Sequence, residues 1–136
     1  MSGTRAVAVS LKIPDNAAYT ALVALRRLGV SAERVERSEI WTFEEDGGAA
    51  ESLEARVEAD ETIFNPNKHR LTLLDQAAPR AGEVWIRRRD ATTGGPAAVA
   101  WRLFGARGEP AGREVLAAAV ERLLCNPAIE TAIYSA

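Results

Sequence analysis

The sequence turns the same corner twice. The stretches "TIFNPNKHRLTLLD" (62–75) and "LLCNPAIETAIYSA" (123–136) each carry an Asn-Pro pair after a helix-like run and before a strand-like run. Proline lacks the N–H that a helix interior needs, and it drives the preceding residue out of the α region. Asparagine tolerates turn conformations and bonds its own backbone. An Asn-Pro pair therefore stops a helix and aims the chain into a strand. A chain that does so twice must return two helices onto two strands, which favours a sheet with helices packed on it.

The helices before the corners also correspond. "ESLEARVE" (51–58) and "EVLAAAVE" (114–121) share Glu, Leu, Ala, Val and Glu. From there to the Asn-Pro pair the first copy is longer, "ADETIF" against "RLLC". Amphipathy alone produces similar patterns among common residue types. The Asn-Pro pair in register adds to the match and favours an internal duplication.

The rest of the chain fits such a repeat. "AVAVSLKI" (6–13) alternates, with Val7, Val9, Leu11 and Ile13 on one face, and reads as a strand. Pro14 and Asp15 open a helix in which Ala18, Ala21, Leu22, Leu25 and Leu28 recur at helical spacing, and Gly29 ends it. A second strand lies within 31–46. Val35, Trp41 and Phe43 share a parity that Arg37 and Glu39 interrupt, and Ile40 is out of phase, so a bulge or bend near Ser38 is expected. "GGAA" (47–50) reads as a turn. A helix over 51–64 with Leu53, Val57 and Phe64 as its stripe follows, then a third strand, 69–75. "QAAPRAG" contains a linker, 77–82. Beyond it, 83–105 forms a hairpin around "ATTGGP". A helix through "REVLAAAVERLLC" follows, with Leu116, Ala119, Val120, Leu123 and Leu124 on its apolar side, then a final strand.

This order predicts an α+β fold: an antiparallel or mixed sheet with helices on one face, built from two ferredoxin-like half-modules. Residues 1–76 form the first, strand-helix-strand-helix-strand. Residues 83–136 form the second, shortened to strand-strand-helix-strand and sharing one core with the first.

Composition narrows the function. The 136 residues carry a net charge of −2, so no general attraction to nucleic acid or to anionic membrane is expected. No apolar run approaches the ~20 residues that span a bilayer. The opening residues lack a signal-peptide core, and a cytoplasmic location is expected. The sole histidine, His69, and the sole cysteine, Cys125, cannot supply the roughly four ligands of a zinc site, and no metal is expected. Cys125 reads as a small buried hydrophobe and His69 as a solvated residue at a strand start. "TTGGP" lacks the Lys-Ser and helix start of a phosphate loop, and no cofactor or catalytic residue is assigned. Arg87, Arg88 and Arg89, with Arg102 on the next strand, could grip a phosphate or carboxylates. The competing reading is a solvated edge strand guarded against stray pairing, with Arg88 facing away from Arg87 and Arg89. Trp85 and Trp101 read as core or module-interface residues.

In its layout and signatures the chain resembles PurS, the small subunit of formylglycinamide ribonucleotide amidotransferase (phosphoribosylformylglycinamidine synthase) in purine biosynthesis. Ser10, Leu11 and Lys12 match the end of that family's first strand. Asp15 matches its helix start, and Ala24, Leu25, Leu28 and Gly29 its helix end. Leu123, Leu124, Asn126, Pro127, Ile129 and Glu130 match the closing signature. The family's Pro-Gln-Gly turn is Asn16, Ala17 and Ala18 here, and a Gly-Lys of its second strand is Ser38 and Glu39. The start signature lies only in the first half and the best end signature only in the second, so the resemblance covers a fused, diverged pair of units. It implies a subunit without catalysis of its own, within a glutamine-dependent, ATP-using ligase complex. Its partners would be the synthetase and glutaminase subunits, bridged through Asn65, Pro66, Asn126, Pro127, Arg87, Arg89 and Arg102. A homo-oligomer is expected if the second unit leaves a sheet edge open. The alternative is a small-ligand regulatory module with a pocket between the repeats. An enzyme of another type is the third reading.

Overall fold

The structure is a computed structural model and describes residues 3–45, 50–90 and 95–135. Six strands form one antiparallel sheet: β1 (Gly3–Leu11), β2 (Arg34–Glu45), β3 (His69–Leu73), β4 (Glu83–Arg88), β5 (Ala98–Phe104) and β6 (Glu130–Tyr134). Their order across the sheet is β3-β1-β2-β5-β4-β6. Each half puts its first strand between its other two, and β2 pairs with β5 to join the halves.

Three helices pack on one face. In α1 (Asn16–Arg27) the Asp15 carboxylate accepts from the Ala17 and Ala18 amides at 2.9 and 3.2 Å, which satisfies two of the free N–H groups at the helix start. Arg26 and Arg27 occupy the last turn, and Gly29 follows with φ of +83°. Ala18, Leu25, Val30 and Val35 pack with Val84, Ile86 and Leu103 of the sheet and with Leu116 and Ala119 of α3 (Arg113–Ala119). On the same face, Leu53 and Val57 of α2 (Ala50–Ala59) cover Val7 and Val9.

Segment 74–82 crosses the other face, from edge strand β3 to β4. It is no loose linker. Leu74 is buried against Ala6, Ala8, Ile40, Ala98, Ala100 and Trp85. The alanines let backbone lie close on backbone, and the end of the crossing is pinned. Glu83 is fully buried and accepts from the Arg80 amide at 2.9 Å, the Arg80 guanidinium at 2.8 Å and the Trp85 indole at 3.1 Å. A buried carboxylate is tolerable only when paired and bonded in this way. Gly82, at φ of +73°, lets the chain turn where a Cβ would stand 2.8 Å from the Pro110 Cβ.

The expected bulge at Ser38 is absent. The β2 register runs unbroken from Glu45 to Glu39 against β1 and from Ile40 to Arg34 against β5. Ile40 is out of phase because both faces are buried, and it belongs to the crossing side. The first strand ends at Leu11, and Ile13 is exposed. Helix α2 stops at Ala59, where Asp60 opens a turn that buries Ile63 and Phe64 separately. Leu123 is exposed because α3 widens into a π turn, Val120–Leu124, which rotates the apolar stripe. Strand β4 is not an edge: the last strand returns outside it, pairing Arg87 and Arg88 with Thr131 and Glu130. Most of the expected "GGAA" turn and residues 91–94 of "ATTGGP" lie outside the described residues.

Candidate functional site

The two Asn-Pro corners are built from the same hydrogen bonds. At the first, Asn65 Oδ1 accepts from the Asn67 amide at 2.9 Å. The Asn65 carbonyl accepts from the Lys68 and His69 amides, and the Asn65 amide donates to His69 Nδ1 at 2.9 Å. At the second, Asn126 Oδ1 accepts from the Ala128 amide at 3.1 Å. The Asn126 carbonyl accepts from the Ile129 and Glu130 amides, and the Asn126 amide donates to Glu130 Oε1 at 2.8 Å. Each bond of one corner has its counterpart in the other.

A cation closes each corner. Lys12 Nζ donates to the Pro66 carbonyl at 2.7 Å, and the Lys12 amide to the Lys68 carbonyl at 2.8 Å. Arg89 Nε donates to the Pro127 carbonyl at 3.0 Å, and the Arg89 amide to the Ile129 carbonyl at 2.8 Å. Lys12 follows β1 directly, and Arg89 follows β4. Neither the cations nor the closing residues His69 and Glu130 stand out as pairs in the sequence. Lys12 and Pro66 are 54 residues apart, Arg89 and Pro127 only 38. His69 is half-buried and bonded rather than solvated. Cys125, just before the second corner, is half-buried, and burial pushes its thiol up from the ordinary value.

Corner laid on corner, the strand registers fix further counterparts. Leu11 faces His69 as Arg88 faces Glu130. Along the strands Val7 then matches Val84, Val9 matches Ile86, and Trp41 matches Trp101. Glu39 and Val99 are counterparts and also partners across the β2–β5 seam, so an approximate two-fold passes between them.

Two clefts follow the same relation. One, of about 400 Å³, is lined by Ser10, Leu11, Ile13, Ser38 and Arg70 together with Asp15, Ala18, Tyr19 and Leu22 from α1 and its cap. The other, of about 740 Å³, has the matching positions Arg87, Arg88, Asp90, Ala98 and Thr131, with Trp41 of the first half, and no helix lines it. Residues 89–97 link β4 to β5, too few for a counterpart of the twelve-residue α1. In the larger cleft Arg88 Nε holds Asp90 Oδ1 at 3.0 Å, and this hydrogen bond lowers the Asp90 carboxyl below its usual range. Arg87 is exposed and has no partner among the described residues. The indole Nε1 of Trp41 is buried without an acceptor among the described residues.

The expected interface residues therefore do not form one patch. β1 and β4 run in opposite directions, so their ends, and the corners with them, lie at opposite ends and opposite edges of the sheet. At about 4.8 Å per strand the edges stand about 24 Å apart. Asn65 and Pro66 occupy one corner; Asn126, Pro127 and Arg89 the other, with Arg87 beside it. Arg102 does not join Arg87. It faces Glu83 in the register, about 13 Å along the strand from Arg87, and its Nε donates to the Ala81 carbonyl at 2.9 Å. Trp85 is core, and Trp101 is half-buried beneath the Arg37 guanidinium at 5.7 Å. Among the described residues no group of three or more His, Cys, Asp or Glu is placed to hold a metal ion, and no helix is long and apolar enough to cross a membrane. Neither the protein-family models nor the curated proteins compared with this chain give a match.

Proposed function

We propose that this chain is a fused pair of PurS-like units, acting as a non-catalytic bridge in a phosphoribosylformylglycinamidine synthase. The observation that carries the reading is the pair of corners, whose hydrogen bonds correspond position by position on a near two-fold sheet. The Ser10-Leu11-Lys12 signature sits at the first corner and the "LLCNPAIE" signature at the second, so a two-fold assembly is built into one chain. Such a body presents similar surfaces in opposite directions. One would seat the ATP-using synthetase and the other the glutaminase, and binding energy would fix their geometry so that ammonia passes without release. Asn65, Pro66, Asn126, Pro127, Arg87 and Arg89 would line these surfaces. Arg102 would hold the crossing segment instead.

The test is capture of the tagged protein from its own cell lysate, with glutamine and ADP present. Mass spectrometry should find both synthetase and glutaminase subunits. Their absence, with the protein folded and abundant, overturns the bridge. A second reading, a small-ligand regulatory module, is favoured by one observation: the larger cleft combines Trp41 of the first half with residues of the second. It predicts a rise in melting temperature with an amino acid or nucleotide.

A further inference from the structure

We propose that the smaller cleft binds the phosphate group of a small ligand through Arg70, with the hydroxyls of Ser10, Ser38 and Thr72 as its floor. The cleft opens where the sheet splays. β1 pairs with β2 only as far as Val9 and Glu39. Beyond them β1 stays with β3 up to Leu11, and β2 stays with β5 back to Arg34. Ser10 pairs with Arg70, Ala8 with Thr72, and Ser38 with Ala100. Strand alternation puts Arg70, Ser10, Ser38 and Thr72 on the crossing face, with Ala8 and Ala100. Arg70, Ser10 and Ser38 stand in a row on three successive strands, about 4.8 Å apart where strands pair. Thr72 lies two residues along β3 from Arg70.

The row is built to meet an anion from outside the chain. Ser38 is only 8% exposed and lines the cleft, yet its hydroxyl has no hydrogen-bond partner among the described residues. A polar group buried to that degree ordinarily has one. Ser10 and Thr72 are half-buried, with hydroxyls likewise unpartnered among these residues, and Arg70 is exposed and unpaired among them. The other charges of the cleft are engaged. Arg34 pairs with Glu36 at 3.5 Å, Arg37 stacks over Trp101, and Asp15 caps α1. Arg80 holds Glu83 through Nε and Nη2, and its Nη1 has no partner among the described residues. An incoming anion therefore meets one unpaired guanidinium, the spare edge of a second and three hydroxyl donors. A carboxylate offers them two oxygens and one charge. A terminal phosphate offers three oxygens and close to two charges, so the donor set favours phosphate. At about 400 Å³ the cleft suits a small molecule.

The test titrates the purified full chain with inorganic phosphate at constant ionic strength, because salt screens exposed charges. Saturable shifts are expected at the amide resonances of Ser10, Ser38, Arg70 and Thr72, with acetate binding more weakly. Arg70→Gln should weaken phosphate binding about tenfold or more, the scale of a lost charge-assisted bond. Ser38→Ala should weaken it by a smaller factor. Arg56→Gln, the same charge change on α2, should leave it unchanged. The Arg70 and Ser38 side chains make no hydrogen bond among the described residues, so both variants should melt with the parent. No saturation by about 20 mM phosphate overturns the inference. So do shifts centred away from the cleft, binding indifferent to Arg70, or acetate binding as tightly as phosphate. Because no partner protein takes part, failure here leaves the bridge standing, and failure of the bridge leaves this result intact.

Discussion

Strands β1 and β4 occupy equivalent places, yet only one of their faces agrees. Towards the helices, Val7 and Val9 of β1 answer Val84 and Ile86 of β4. Towards the crossing segment, Ala6, Ala8 and Ser10 answer Glu83, Trp85 and Arg87. The helix face does the same job in both halves, which is to receive a returning helix, and its apolar residues match. The crossing face does two different jobs. Over β1 the chain passes close and needs small side chains. Over β4 it ends and must be held, and the Glu83 carboxylate with its three donor groups holds it. A duplicated layout thus diverges where one chain connects its two parts.

The largest expected effect is at that anchor. Glu83→Ala strands the Arg80 guanidinium, the Arg80 amide and the Trp85 indole, and should cost about 3–5 kcal/mol, read as a lower urea midpoint. A loss below about 1 kcal/mol would show that the crossing is held by its apolar contacts instead. The helix face gives the next test. Leu103→Ala, beneath α1, should cost about 2–5 kcal/mol. Phe43→Ala at the counterpart position should cost less than Leu103→Ala, although phenylalanine is the larger side chain. Equal losses would mean that the two counterpart positions on the helix face are covered alike.

The corners should respond alike. Asn65→Ala and Asn126→Ala each remove one side-chain acceptor and should each cost about 0.5–1.5 kcal/mol. A difference above about 1 kcal/mol, on the scale of a whole hydrogen bond, would break the equivalence that the geometry displays. The smallest effect separates the halves by pH. Asp90 has a depressed carboxyl, so its pairing with Arg88 stabilises the fold above the ordinary aspartate range and is lost as pH falls through its folded value. The counterpart of Asp90 is Ile13, which has no charge to lose. Asp90→Asn should remove this component of the acid dependence, and a resonance titration of Asp90 should lie below that of a free aspartate. An Asp90 that titrates in the ordinary range would remove the asymmetry.

Local physics made much of this legible. The Asn-Pro corners, the Asp15 cap, the Gly29 stop and the amphipathic helices are written in neighbouring residues, so the α+β layout and the order of elements could be read directly. Where the reading failed, the missing information was long-range. Ile40 looked out of phase because nothing near it reveals that a segment more than thirty residues later covers the second face. Arg87 to Arg89 looked like an edge because β6, which pairs outside β4, comes last in the chain. Arg102 looked like their companion until the register set it against Glu83.

The sequence by itself determined that two helices end at Asn-Pro corners and return as strands, because proline geometry and side-chain periodicity act within a few residues. Only the tertiary structure decided that each corner is closed by a cation from a distant strand, that Trp41 answers Trp101, and that one half keeps a helix where the other leaves a cleft. Those facts depend on which strands pair and in what register. Strand pairing joins residues far apart in the chain, and no local preference specifies it.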